Sequence, residues 1–261
     1  MRRIKLGLSE IAIIQTVAAT YPAKSRSSYP SPDQKWRADA VVYNECTQTM
    51  ADTNSYEVLK LIDLSNGSEK IIENELINCG GIGASGLDGL FWSANSRNFY
   101  YTDAAVGVPD GGCLNWQRPI TRLDVTTLKT DDRTGYVSPN HEQIAGWGAS
   151  EIVVWDINSD KTTHLPAAGT EGSIISLTWS PDWQAIAYLQ MVTDPSSPCP
   201  PVGKTSLVRV DLTSLQQEVV LVAESPGYVS ANWDAPNRIR LFDLQGDEWR
   251  YNFVTQELTK E

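Results

Sequence analysis

The chain has 261 residues, 41% of them hydrophobic, which is enough to bury a sizeable core. Its formal charge of -11 argues against nucleic acid as a partner, because a phosphate backbone needs a basic patch to release counterions. No apolar run reaches the roughly 20 residues that a membrane-spanning helix requires, and nine Trp with ten Tyr suit sheets better than helices.

Residues 1–27 form a distinct N-terminal segment. Arg2, Arg3 and Lys5 precede a moderately apolar stretch that runs to the small residues Ala18, Ala19 and Ala23, the outline of a secretory signal, although Glu10 and Gln15 interrupt its centre. Three readings stay open: a cleaved signal, which makes an extracytoplasmic location (periplasmic or secreted) preferred over a cytoplasmic one, an ordinary strand around residues 11–17, or an arbitrary start inside a longer ancestral protein.

From residue 28 onward the chain reads as one repeated unit. A Ser or Asp introduces a short turn of Pro, Asn and Asp, and a β-rich run follows, in "YPSPDQKWRADAVVYN" (29–44), "LFWSANSRNFYYTD" (90–103), "YVSPNHEQIAGWG" (136–148), "LTWSPDWQAIAYL" (177–189) and "NWDAPNRIRLFDL" (232–244). Each turn is followed by a β-run ending in an acidic residue or Asn and then an apolar one: Asp63, Asp124, Asp156, Asp211 and Asn252. The separation between turn and ending is 31 or 32 residues in three copies and 18 in two, so the longer copies carry an insertion. The unit is then strand A, tight turn, strand B, loop, strand C, turn, strand D.

Four antiparallel strands repeated in this way predict an all-β fold, a β-propeller of four-stranded blades with about five blades visible, as a single domain over residues 28–261. The Trp-Ser-Pro-Asp turn and the Asp-Leu ending resemble the WD40-like repeat of the TolB type, also found in the propellers of prolyl oligopeptidase relatives. The glycine that this family places after Pro-Asp is replaced by Gln34, Ser96, Glu142, Trp183 and Arg238. The resemblance implies a fold and leaves function open, since propellers host unrelated activities. Trp92, Trp179 and Trp233 are expected to pack between neighbouring blades. The ends are weak: copy one has only "SRSSYP" as strand A and copy five only "ELTKE" as strand D.

Strand alternation places A-B and C-D turns at one end of the blades and B-C loops with D-A connections at the other. The insertions (about 45–56, 104–117 and 191–205) and the long connection 74–86 all fall at the second end, which makes it the expected binding face for a protein or small ligand. Asp103, Asp110, Trp116 and Arg118 are its candidate binding residues. Cys46, Cys79, Cys113 and Cys199 map to the same end and are disulfide candidates if the protein is exported, with three connectivities open and Cys46 to Cys79 preferred.

Catalytic signals are sparse. There is no G-x-S-x-G elbow and no C-x-x-C pair; His141 and His164 read as solvated turn positions, and Asp52, Asn54 and Glu57 lack the spacing of a Ca²⁺ loop. No cofactor and no metal is expected. The leading functional reading is a non-enzymatic binding or scaffolding module. A carbohydrate-active propeller enzyme using converging carboxylates, and an inactive remnant of a peptidase or sensor, are the alternatives.

Overall fold

The computed structural model describes residues 23–43, 54–78, 87–103, 117–148, 150–168, 172–198 and 201–261. Every described element is a strand and every described pairing is antiparallel. The chain is therefore all-β and built of four-stranded β-propeller blades. It separates into two compact units, with the change from one to the other falling after Asp132; Gln117 and Arg118 group with the second.

In the first unit, blade 1 comprises β1 (Lys24–Pro30), β2 (Trp36–Tyr43), β3 (Asn54–Asp63) and β4 (Glu69–Asn78), hydrogen-bonded in that order. Blade 2 comprises β5 (Leu87–Trp92), β6 (Asn98–Asp103), β7 (Arg118–Asp124) and the start of β8 (Lys129–Val137). Side chains alternate across a strand, so the register that sets Ala38 opposite Leu61 and Ala40 opposite Leu59 puts all four on one face. That face packs with Leu87, Trp92, Phe99, Tyr101 and Leu123 of blade 2.

In the second unit, the end of β8 leads β9 (Gln143–Trp147), β10 (Glu151–Asp156) and β11 (Thr162–Pro166). Blade 4 is β12 (Ser173–Trp179), β13 (Ala185–Pro198), β14 (Pro201–Asp211) and β15 (Gln217–Ala223), and blade 5 is β16 (Tyr228–Ala235), β17 (Arg238–Asp243), β18 (Glu248–Asn252) and β19 (Leu258–Lys260). Over residues 185–191, strand β13 is buried on both faces. Ile186 and Tyr188 join the core shared with β10 and β12, while Ala187 and Leu189 join the one shared with β16 and β17.

The two repeated signatures have a common local explanation. Ser31, Ser93, Ser138 and Ser180 are buried, and each hydroxyl donates to the Asx residue two positions on, at 2.6 to 2.7 Å. Each also accepts the backbone N–H five positions on, from Trp36, Asn98, Gln143 and Ala185. The turn closes with a left-handed residue at Gln34, Ser96, His141 and Trp183, all with φ between 53° and 60°. The third copy's glycine equivalent is thus His141, not Glu142, and Arg238 has no such role: the fifth turn instead holds Asp234 against the Arg238 guanidinium at 3.1 Å.

At the other signature, Asp63, Asp124, Asp156, Asp211 and Asn252 each accept the N–H two positions on, forming Asx turns at the ends of the C strands. The apolar residue that follows donates its own N–H to the carbonyl of Lys35, Arg97, Glu142, Gln184 or Asn237 in the A-B turn of the same blade. The recurring Asx residues are structural acceptors, and the residue after each ties the two turns of its blade together.

Three sequence expectations change. The fragment "SRSSYP" lies in a seven-residue strand A, β1, and "ELTKE" supplies β19, so both end blades have all four strands. The described residues of the insertion in copy four form a β-ribbon rather than a loop, with Val192 opposite Lys204 and Thr193 opposite Gly203. The D-A connection begins later than residue 74, because β4 runs to Asn78.

Candidate functional site

The residues singled out at the B-C and D-A end reach the structure only in part. Asp103 is the last residue of β6, its backbone opposite Leu87, and Arg118 is the first of β7. Asp110, Trp116, Cys46, Cys79, Cys113 and Cys199 lie outside the described residues, as do Asp52 and residues 1–22. Glu57 is 4% exposed within β3, opposite Val42, so its carboxylate belongs to the blade interior and not to an open cation loop. Among the described residues no group of three or more His, Cys, Asp and Glu side chains is arranged to hold a metal ion. No described helix is long and apolar enough to cross a membrane.

The histidines sit apart from one another's surroundings. His141 occupies the left-handed turn position, whereas His164 stands mid-strand in β11 rather than at a turn, exposed, with Nδ1 3.1 Å from the Glu151 carboxylate. The exposed His164 to Glu151 contact contributes little.

All three tryptophans pack against a core shared by neighbouring blades, two of them with a specificity the sequence did not reveal. Trp92 Nε1 donates to the Tyr29 carbonyl at 2.9 Å, and Trp179 Nε1 to the Tyr136 carbonyl at 2.8 Å, each reaching back to the leading strand of the preceding blade. Trp233 packs its ring against Phe253 at 5.0 Å, but its Nε1 is buried with no hydrogen-bond partner.

What the sequence reading missed is a groove between the leading strands of the second unit. It encloses about 300 Å³ and is lined by Tyr136 and Val137 of β8, Ser176 to Trp179 of β12, and Ser230 to Asn232 of β16. Ser176 Oγ accepts the Ala231 N–H at 3.3 Å and Thr178 Oγ1 the Trp233 N–H at 3.5 Å, so two hydroxyls stand where a backbone ladder would join strands of one sheet. Each hydroxyl keeps its own proton to donate. The one available signal was Ser176, Thr178, Ser230 and Asn232 at period two on strands otherwise rich in apolar residues.

Charged groups near the opposite end of blade 4 are occupied structurally. The Ser180 hydroxyl holds the Asp182 carboxyl below its usual range, and the Ser214 N–H does the same for Asp211; Arg209 adds to both and lies over the Phe253 ring at 5.6 Å.

No family model and no curated protein matches the sequence. Among solved structures, the chain is similar to dipeptidyl peptidase 4 of Porphyromonas gingivalis, with a TM-score of 0.47 and 10% identity over 100% of this chain and 42% of that one. It is also similar to the tricorn protease, with a TM-score of 0.35 and 12% identity over 91% of this chain and 26% of that one. The chain spans less than half the length of either.

Proposed function

We propose that the protein is a non-enzymatic binding module of TolB-type repeats that engages a protein or small ligand through the B-C and D-A end of its blades. One observation carries this reading: the two ends of the blades are built differently. Four A-B turns share a single set of hydrogen bonds and one left-handed position, while at the B-C end β13 and β14 run to 14 and 11 residues against five and six for β9 and β10. Elaboration confined to one end of a rigid repeat is where binding groups are added without disturbing the fold.

The test replaces residues 194–202 by an Asn-Gly turn, which closes the Thr193 to Gly203 pair as a two-residue hairpin. The trimmed protein and Trp116→Ala are compared with the parent for capture of partners from an extract of the source organism. Loss of specific capture at unchanged melting temperature is expected; equal capture by all three proteins rejects this end as the site. A chromogenic glycoside panel run on the same samples separates the enzymatic reading, since turnover abolished by Asp103→Ala or Asp110→Ala would replace the binding module with a carbohydrate-active enzyme.

A further inference from the structure

The groove in the second unit carries an inference independent of the loop end. We propose that it is a second binding site, selective for a neutral saccharide, which it holds without cleaving.

The chemistry of the lining points there. Ser176, Thr178, Ser230 and Asn232 present three hydroxyls and a carboxamide, and no Asp, Glu, Lys, Arg or His lines the space. The hydroxyls of Ser176 and Thr178 are fixed by the N–H groups they accept, which aims their protons and second lone pairs elsewhere. Among the described residues the side chains of Ser230 and Asn232 make no hydrogen bond, so a carboxamide with two donors and one acceptor stands ready beside a free hydroxyl. Mixed donors and acceptors at close spacing match the vicinal hydroxyls of a sugar, each of which is itself donor and acceptor.

A charged ligand fits poorly, because nothing in the lining compensates the desolvation of an ion. A purely apolar ligand fits poorly as well, since it would cover the Ser230 hydroxyl and the Asn232 carboxamide without offering them partners. The half-buried Tyr136 adds apolar surface at one edge of the groove. A space of about 300 Å³ lies at the small end of ligand cavities, suited to a sugar ring rather than a long chain. Hydrolysis is not part of the proposal, as no carboxylate lines the groove to act as acid, base or nucleophile.

The measurement is saturation-transfer NMR followed by titration calorimetry on the full chain, with methyl glucoside, methyl galactoside and myo-inositol as neutral probes and glucuronate and glucosamine as charged controls. At least one neutral probe is expected to bind with affinity unchanged by added salt or by pH across the neutral range, and more tightly than either charged control. Asn232→Ala and Ser230→Ala, both at partly or fully exposed positions, are expected to weaken it about tenfold each with no change in melting temperature. Absence of binding by all three neutral probes, or binding that the two substitutions leave intact, overturns the proposal. The variant trimmed at residues 194–202 keeps saccharide binding if the groove is the site, so failure of this inference and failure of the loop-end reading are read separately.

Discussion

Trp92, Trp179 and Trp233 occupy the same place in their repeats, yet they are not equivalent residues. The first two join blades through an indole N–H donated to a carbonyl, and the third buries the same N–H with no acceptor. Truncating an indole removes packing surface in each case, but only at Trp92 and Trp179 does it also remove a hydrogen bond to the preceding blade. Trp179→Phe is therefore expected to cost about 1 kcal/mol more than Trp233→Phe, from the lost bond, as read from urea unfolding midpoints. Equal losses would mean that ring packing alone sets the value of these positions. The turn residues make a related point. Gln34, Ser96, His141 and Trp183 all hold a left-handed backbone that glycine adopts most readily, and the buried serine with its two hydrogen bonds is what holds them there.

Strand β8 is the element whose behaviour departs most from a simple repeat. Its first residues continue blade 2, with Arg122 Nε donating to Asp131 at 2.7 Å and Thr121 Oγ1 to Asp132 at 3.0 Å. Its last residues lead blade 3, with Tyr136 opposite Ala145 and Val137 opposite Ile144. Between them stands Gly135 at φ 148°, where a Cβ would lie 2.3 Å from the Ala145 carbonyl oxygen. The backbone passes too close for any side chain, so one strand changes roles without an intervening loop. Gly135→Ala is expected to destabilise the protein by more than about 1 kcal/mol and lower the melting temperature by several degrees, measured by calorimetry. Gly148→Ala is the control: its added Cβ meets nothing nearer than Glu151 Cγ at 3.5 Å and is expected to be close to neutral.

For the whole molecule, acid response follows from the turn carboxylates. Asp33 is held below its ordinary value by the Ser31 hydroxyl, Asp63 by the Ser65 hydroxyl, Asp182 by the Ser180 hydroxyl and Asp211 by the Ser214 N–H. A carboxyl with a depressed value in the folded state contributes stability that is fully present above its unfolded value of about 4 and is lost as pH falls through the folded value. Stability is thus expected to be level near pH 5 and to decline below about pH 4. Asp211→Asn keeps the acceptor for the turn N–H groups but does not titrate, so its unfolding midpoint should fall less steeply than the parent's over that acid range. An identical slope would show that these turns do not govern acid unfolding.

Much of this architecture was legible in the residues because it is local. A Ser followed by Pro or Ala and then Asx, an Asp closing a β-run, and period-two alternation in β13 depend on hydrogen bonds and side-chain directions within a few positions, and these specify turns and strands. The same logic failed where neighbours distant in sequence decide the outcome. That "SRSSYP" is a strand depends on the partner β2 presents to it, and that residues 191–198 and 201–205 form a ribbon depends on β14 continuing past the blade. The absence of an acceptor for Trp233, the close approach at Gly135, and the meeting of Ser176 and Thr178 with Ser230 and Asn232 across two blades likewise come from long-range packing. Repeating local chemistry determined what kind of blades this chain makes; the tertiary structure alone decided which polar side chains those blades leave facing one another with hydrogen bonds still to make.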